Sequence, residues 1–580
     1  MGTAKRVYLY IVSAISLLVL CVGLYDLVAY SLGGLADAFG ATVLGGGTGR
    51  EQVSLAIALV IVGLPVFALH WRLVGRGWRG TDAAALEDRR APLRALHLGL
   101  VATVALAFGT FAALQIVGDA LLTVFGVDRV GNEGRLTDEF AMLIITLPIW
   151  WYHVRRRNAD LRHDKLVEAA AWLTRLYRYG WAFAGLMLLA RGVSAVIETL
   201  ALVLVGRTGF GAADRWWLGP LAWSISSIVV GLGVFWFHAD DARRAIRDTA
   251  IIGEDDRASA VRAAYFGAVI LVALSYLGVT VASSLAGLGR WALGLTDASG
   301  IADFLELVVG PVLVAIPFAL AGWVHWIAQR REAAGRSPIA LATAERLALH
   351  LAAGVGLAFL AVGAGQLLGR FVEAALGVAV VDDLFRRELA WFAAQIVVGA
   401  ALWIPAWAMI MQRRAADPST ERRATIGRAY LYLVVGVSLL AAVPSAVFTL
   451  YRLIDTLLGG RGSALGSDLA IPIAVVIVAS VVAAYHGRLV IADLRLAGET
   501  ERAIEAGTAA LTSVRAPSAV AASITLTLRG PAGTDFQAVT DRLCEHLPDG
   551  MVLERSVIET VGPKADAPRK PTLRGRPRPI

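Results

Sequence analysis

The sequence predicts an all-α polytopic membrane protein of about twelve transmembrane helices, arranged as six tandem helical hairpins, with a small α/β cytoplasmic module at the C-terminus. Three observations predict this fold class. The 580 residues are 57% hydrophobic and only 17% charged, with a mean hydropathy of +0.65. Apolar runs of about 20 residues, long enough to cross a bilayer, recur along the chain. A short motif that ends in histidine and arginine recurs at the ends of these runs.

Charge and cysteine content exclude several classes of protein. The net charge of +8 comes mainly from arginines at the ends of apolar runs, where they set topology and meet anionic headgroups. We therefore expect the lipid bilayer and its anionic headgroups as partners, and no nucleic acid. Cys21 and Cys544 match no disulfide framework and no metal-ligand spacing. The sequence indicates neither a cofactor nor a metal.

The first helix of each predicted hairpin begins at an arginine. Successive starts are separated by 88, 81, 87, 84 and 82 residues. This regular period predicts an internal repeat. The six starts are Arg6, Arg94, Arg175, Arg262, Arg346 and Arg428. Three of them, at Arg6, Arg175 and Arg428, share an RxYxY pattern.

These starts divide the chain into domains. We predict a transmembrane domain over residues 1–497, made of repeats at about 5–78, 92–158, 172–245, 259–332, 342–414 and 422–497. The second helix of five repeats ends at a histidine, within sequences such as GLPVFALHWR and TLPIWWYHVRR. The fifth repeat ends at WIPAWAMIMQRR and has no histidine.

Lysine and arginine counts predict the orientation. The five connections between hairpins hold 27 basic residues, whereas the six turns inside hairpins hold 11. The positive-inside rule therefore places the connections and both termini in the cytoplasm, with the chain a multi-pass protein of the cell membrane. The first apolar run, Val7 to Leu32, is too long for a signal-peptide core and is expected to stay as a membrane helix.

The opening RVYLYIVSAISLLVLCVGLYDL and the return helix REQVSLAIALVIVGLPVFALHWR resemble a bacterial family of multi-pass membrane proteins with tandem two-helix repeats, described as a domain of unknown function. The resemblance covers roughly Lys5 to Arg495 and is weakest in the fourth repeat. It implies the helical-hairpin architecture and a bacterial inner membrane location. It implies no chemistry and no catalytic residues.

The repeated histidines fit two interpretations. Histidine and tryptophan are amphipathic and prefer the headgroup level, so the motif is typical of an interfacial anchor repeated by duplication. The alternative is a ring of histidines at one depth that senses protons or binds a metal. A haem site is disfavoured because the histidines lie at the membrane boundary. The residues of this interfacial motif are His70, His153, His238, His325 and His486.

A candidate intramembrane polar site centres on Arg191, which falls inside an apolar run, where a charge is costly and needs a partner. Glu198 and Asp119 are the candidate partners. Two interpretations fit: a structural ion pair, or a substrate or ion site. Acids also recur near the far ends of the first helices. They are interpreted either as solvated helix ends or as an acidic vestibule for a cation path. These acids are Asp26, Asp119, Glu198, Glu373 and Asp455.

After the last span the composition becomes polar. Residues 498–562 predict a helix followed by a small βαβ-like cytoplasmic module, with strands near 523–528 and 551–558. Its small size suggests docking on the membrane part or self-association. Residues 563–580 are basic and rich in proline, which is typical of a disordered tail held at lipid headgroups.

The sequence has no Walker A loop, GxSxG, HExxH or CxxC motif, so it indicates no catalytic residues and favours no enzyme. Two functions remain. The first is a non-enzymatic membrane scaffold or sensor with a cytoplasmic module. The alternative is a secondary transporter or channel built from parallel repeats around an intramembrane charged site.

Overall fold

The structure is a computed structural model that describes residues 3–38, 50–78, 83–127, 135–163, 168–204, 215–247, 255–295, 301–377, 382–459, 465–513, 527–531 and 557–561. The chain divides into two compact units, Met1–Leu494 and Arg495–Ile580. The side-chain contacts discussed below all lie in the first unit.

Long helices dominate the first unit. In chain order the helices are α1 (Thr3–Ala38), α2 (Arg50–Trp78), the short α3 (Ala83–Arg90), α4 (Pro92–Val124), α5 (Arg135–His163), α6 (Glu168–Leu204), α7 (Leu218–Arg247), α8 (Ala260–Ala292), α9 (Ile301–Arg336), α10 (Pro338–Ala375), α11 (Asp383–Ala416), the short α12 (Pro418–Glu421), α13 (Thr425–Leu457) and α14 (Leu465–Ser513). A π-helical turn, Leu305–Val309, interrupts α9.

Eleven of the described helices are long and apolar enough to cross a membrane. The sequence predicted about twelve such helices, and the long helix that is not apolar enough is α5. This helix carries Asp138 and Glu139 at one end and three consecutive arginines, Arg155 to Arg157, near the other. The apolar stretch between them is therefore shorter than in the other long helices. The chain is an integral, multi-pass membrane protein.

Consecutive long helices pack against each other as α1–α2, α4–α5, α6–α7, α8–α9 and α10–α11. In the first, third and fifth of these hairpins, glycines allow the backbones to approach closely. A Cβ on one glycine of the second helix would lie only 2.4–3.0 Å from a backbone nitrogen of the first helix. These glycines are Gly63, Gly231 and Gly399. Small residues serve the same purpose at helix contacts in membranes generally, where close packing replaces the hydrophobic effect.

Pairs of hairpins form larger groups, which we call the first block (α1–α5), the second block (α6–α9) and the third block (α10–α14). In the first two blocks the first helix packs against the last, α1 against α5 and α6 against α9. Neighbouring blocks are joined in an equivalent way, with α4 against α6 and α7, and α8 against α10 and α11. In the third block α13 packs on α10.

The predicted fold class is wrong in its C-terminal part. The described residues are overwhelmingly helical, and an α/β module at residues 498–562 is not supported. Helix α14 continues to Ser513, and beyond it the structure describes only two five-residue strands, β1 (Thr527–Pro531) and β2 (Val557–Val561), paired in parallel. Two short strands do not make a sheet that could bury a core. The polar helix predicted at the start of this segment is present as the end of α14. The helix predicted between the two strands and the basic tail lie outside the described residues, and self-association through this segment stays a prediction.

Candidate functional site

The ends of the helices that carry the six repeated arginines form one end of the bundle, which we call the arginine end. In each block the arginine of the first hairpin pairs with an acid in the connection to the second hairpin. The nitrogen–oxygen distance is 2.8 Å both for Arg175 with Asp256 and for Arg346 with Glu421. Arg6 pairs with Asp88 in the same way. The three equivalent ion pairs hold each connection against the helix that begins its block.

The arginine of the second hairpin pairs instead within that hairpin. Arg94 lies 2.6 Å from Asp160, and Arg262 lies 2.8 Å from Glu332. Both acids lie seven residues after the hairpin's histidine. The third block departs from this arrangement, because its acid at that position, Asp493, pairs at 2.7 Å with Arg414 of α11.

Ion pairs also cross from the first block to the second. Asp241 accepts hydrogen bonds from Arg157 of α5 at 2.7 Å and from Arg178 of α6 at 3.0 Å. The side chains of the two arginines are only 4% and 5% exposed. Arg178 also lies 3.7 Å from Asp256, so the charges form a continuous buried network across two blocks.

The network reaches the second hairpin of the second block through Tyr179. The Tyr179 hydroxyl donates to Asp256 at 2.6 Å and accepts from Arg262 at 2.7 Å. A buried charge is tolerated when it is paired and hydrogen-bonded, and removal of one partner leaves the other uncompensated. The arrangement is therefore suited to fixing the relative positions of hairpins.

The five repeated histidines share one local geometry. The Nδ1–H of each donates to the carbonyl four residues earlier in the same helix, at 2.7–2.9 Å. In three of them, Nε2 also accepts a hydrogen bond from a tyrosine hydroxyl on the first helix of the hairpin. These pairs are Tyr8 with His70 at 3.2 Å, Tyr177 with His238 at 3.4 Å, and Tyr265 with His325 at 2.8 Å.

This geometry places each histidine inside helix–helix packing. Where a tyrosine donates to Nε2, both ring nitrogens are occupied, so that imidazole has no free lone pair for a metal. Among the described residues, no group of three or more His, Cys, Asp or Glu side chains is placed to hold a metal ion. In the repeats with a tyrosine hydroxyl at Nε2, these contacts agree with a packing role for the histidine.

Two further histidines join the same layer. His97 lies beside Tyr10 and His153, with ring centroids 5.0 and 6.0 Å away. His350 lies 5.3 Å from Tyr430 in the third block. Tryptophan–tyrosine hydrogen bonds of 2.7 Å connect the two hairpins of the first and third blocks, from Trp71 to Tyr152 and from Trp407 to Tyr485.

The three residues of the predicted intramembrane site differ in their surroundings. Arg191 and Glu198 lie 3.6 Å apart on α6, and their side chains are 55% and 51% exposed. Asp119 of α4 is 2% exposed. The structure brings the first two together on the surface of the bundle, and no contact of either with Asp119 is among the described ion pairs.

At the far end of the bundle, arginines bridge acids from both helices of a hairpin. Arg370 pairs with Glu373 of α10 and with Glu388 of α11. Arg452 pairs with Asp455 of α13 and with Asp468 of α14 in the equivalent way. Two of the acids in the predicted vestibule, Glu373 and Asp455, therefore bind the arginines that join the two helices of a hairpin.

A cavity of about 930 Å³ lies within the third block, between α10, α13 and α14, with α8 contributing Leu271 and Ser275. Its lining is almost wholly aliphatic. The polar side chains on its wall include His350 and Tyr430 toward the arginine end and Gln366 and Ser438 farther along. The size and the apolar lining fit a small hydrophobic ligand.

Fold and site together define an integral membrane protein made of tandem helical hairpins and tied together at one end by buried ion pairs. The sequence model of DUF5671, a domain of unknown function, matches the chain three times, at residues 6–134, 175–320 and 346–481. The chain belongs to this family. The three matches begin with the first hairpin of each block. No curated protein and no solved structure matches the chain.

Sequence reasoning identified the repeated arginines and histidines but missed the acids that bind the arginines. A signal for them exists. Asp160, Glu332 and Asp493 each follow a repeated histidine by seven residues. Asp88, Asp256 and Glu421 are each followed by an arginine, in the connection that precedes the second hairpin of each block.

Proposed function

We propose that the chain is a non-enzymatic membrane scaffold, in which three blocks of helices are held in fixed positions by charges at the arginine end. The main support for this proposal is the buried network of Arg157, Asp241, Arg178 and Asp256. This network joins two blocks, and its arginines and carboxylates pair with one another. A scaffold needs such fixed geometry, whereas alternating access needs repeats that move against each other.

The surroundings of the predicted polar site also favour a scaffold over a transporter or channel. Arg191 and Glu198 are half exposed on α6 and are absent from the lining of the 930 Å³ cavity. That lining is aliphatic over most of its length, which gives an ion few coordinating groups along it.

Reconstitution into sealed vesicles tests the scaffold against the transporter. We expect no proton, potassium or chloride flux above that of protein-free vesicles at any pH between 5 and 8, measured with entrapped dyes and an imposed gradient. A saturable flux in the wild type above that of protein-free vesicles is the result that replaces the scaffold with a transporter.

We also propose that the arginine end faces the cytoplasm, with the chain in a bacterial inner membrane. The excess of arginine in the connections between hairpins supports this orientation. Single cysteines at Ser419 and at the exposed Leu458, in a Cys21→Ser and Cys544→Ser background, test it. We expect an impermeant maleimide to label position 458 in intact cells and position 419 only after permeabilisation. The reverse pattern contradicts the orientation.

A further inference from the structure

A polar pocket of about 360 Å³ lies at the arginine end, where the second block meets the third. It is lined by the ends of α8, α9 and α10, with Ile426 from α13. Three guanidinium groups and one carboxylate line it, those of Arg257, Arg262, Arg336 and Glu332. Since Arg262 and Glu332 bind each other, the remaining arginines give the pocket a positive charge.

The two remaining arginines have donors to spare. Arg257 Nη2 donates to the Ile246 carbonyl at 3.2 Å, and Arg336 Nη1 donates to the Arg257 carbonyl at 3.1 Å. Within the part of the chain that the structure describes, neither is paired with a carboxylate. A guanidinium has five N–H donors in a planar fork that matches phosphate geometry, so both are suited to an anion.

Two long helices also begin at this pocket. Ser259 and Ser337 line it and cap α8 and α10, accepting hydrogen bonds from the backbone nitrogens of Arg262 at 3.3 Å and Ala340 at 3.1 Å. The helices are 33 and 38 residues long. Their N-terminal dipole ends add to the attraction for an anion.

One buried polar group in the pocket wall accepts rather than donates. Gln329 is 8% exposed, and its Oε1 has no hydrogen-bond partner among the described residues. A buried unsatisfied acceptor is costly. A ligand that carries a hydroxyl beside its anionic group satisfies this oxygen.

The polar pocket adjoins the apolar cavity of the third block. Leu347 and Ile426 line both. From Ile426 to Ala441 the cavity wall follows α13 for about 22 Å, at 1.5 Å per residue. One leaflet contributes about 15 Å of hydrocarbon, half of the bilayer core. An anion site at the membrane surface therefore continues into a space that accommodates an acyl chain.

We propose that this composite site binds one anionic glycerophospholipid with a hydroxyl-bearing headgroup, such as phosphatidylglycerol. Its phosphate lies between Arg257 and Arg336, its headgroup hydroxyl donates to Gln329, and an acyl chain occupies the cavity between α10, α13 and α14. The site does not depend on the scaffold proposal, since a transporter would hold the lipid by the same groups.

Native mass spectrometry of the full-length protein, titrated with defined lipids in detergent, tests the site. We expect one phosphatidylglycerol to bind with at least about tenfold higher affinity than phosphatidylcholine, and Arg257→Gln with Arg336→Gln to remove that preference, because two charge-assisted contacts to phosphate are lost. Arg243→Gln with Arg244→Gln is the control, since it removes the same charge from exposed arginines of α7 at the same end.

Further arms separate the possible occupants. Ala441→Phe fills the cavity and is expected to weaken phosphatidylglycerol binding. Glycerol 3-phosphate alone is expected to bind far more weakly than the lipid.

Tight binding of glycerol 3-phosphate would show that the ligand is a water-soluble phosphate, and this result overturns the proposal. A dimer in light scattering that Ala441→Phe dissociates assigns the cavity to a second copy, with the same consequence. Equal loss in the control pair shows nonspecific attraction and also overturns it. Arg336→Lys, which keeps the charge, is expected to retain the lipid preference in part and guards against misfolding of the double variant.

Discussion

In the first and second blocks the first helix packs directly against the last, α1 against α5 and α6 against α9, whereas in the third block the same place holds the cavity between α10 and α14. The ends of that cavity are nevertheless tied. Arg452 of α13 pairs with Asp468 of α14 at one end, and the rings of Tyr430 and His486 lie 6.0 Å apart at the other. The third block is open only along its middle.

An exchanged ion pair accompanies this difference. Arg94 and Arg262 each bind the acid on the partner helix of their hairpin and draw the two helices together. In the third block that acid, Asp493, binds Arg414 of α11 instead, and the corresponding Arg428 donates to the main-chain carbonyl of Arg423. Helix α14 is thereby held to α11 and α13 is left apart. The change of partner at the arginine end thus goes together with the space along the middle of the third block.

The largest expected effect is at the junction of the two closed blocks. Asp241→Asn leaves the buried guanidinium groups of Arg157 and Arg178 facing each other without their shared carboxylate. Removal of one partner from a buried pair costs about 3–5 kcal/mol. We expect a loss of that size in the free energy of unfolding, measured by denaturant titration in mixed micelles. The control is Asp240→Asn, because Asp240 pairs with the exposed Arg244. An equal effect of the two substitutions contradicts a buried network.

The equivalent change in the open block is expected to cost less. Asp493→Asn takes the carboxylate from one arginine, Arg414, whereas Asp241→Asn takes it from two. The loss of one partner from a single buried pair falls at the lower end of the same range, about 3 kcal/mol. The same titration measures it, and crosslinking of cysteines placed on α11 and α14 reports whether the helices separate. A loss as large as that of Asp241→Asn would show that the third block depends on its ion pair as strongly as the others do.

The sequence was sufficient for the membrane helices, since hydrocarbon admits few backbone structures other than helices. It also located the repeated arginines, because their spacing is regular. The grouping of hairpins into blocks was missed, although Gly63, Gly231 and Gly399 recur every 168 residues. The acid that each arginine binds depends on which helices meet in space, which the sequence does not show. Asp493 and Asp160 both follow their histidines by seven residues, so the spacing does not reveal that Asp493 binds an arginine of a different hairpin. The α/β module was predicted from alternation in a short segment, where period two is a weak signal.

Two glycines of α10 allow the closed and open faces of one helix to be compared. A Cβ at Gly356 would lie 2.5 Å from the backbone nitrogen of Trp403 on α11, whereas at Gly354 the nearest atom is a ring carbon of Tyr430 at 3.7 Å. Overpacking costs about 1–3 kcal/mol, and alanine returns about 0.5–1 kcal/mol of helix propensity. We therefore expect Gly356→Ala to lose about 1–2 kcal/mol and Gly354→Ala to be neutral or slightly stabilising in the same titration. Destabilisation by Gly354→Ala would mean that α13 packs more closely on α10 than the cavity allows.

The smallest expected effect concerns the tyrosine–histidine pairs and compares the second block with the first. Tyr265 donates to His325 at 2.8 Å in the second block, whereas Tyr8, which is 56% exposed, lies at a longer 3.2 Å from His70. One such hydrogen bond contributes about 0.5–1.5 kcal/mol net, and an exposed group recovers most of that from water. Tyr265→Phe is therefore expected to lower the free energy of unfolding by about 1 kcal/mol, and Tyr8→Phe to leave it unchanged within error. If the histidines instead form a proton-sensing belt, Tyr265→Phe is expected to change how the free energy of unfolding varies with pH more than it changes the value at neutral pH. Denaturant titrations at pH 5 and at pH 8 distinguish these two outcomes.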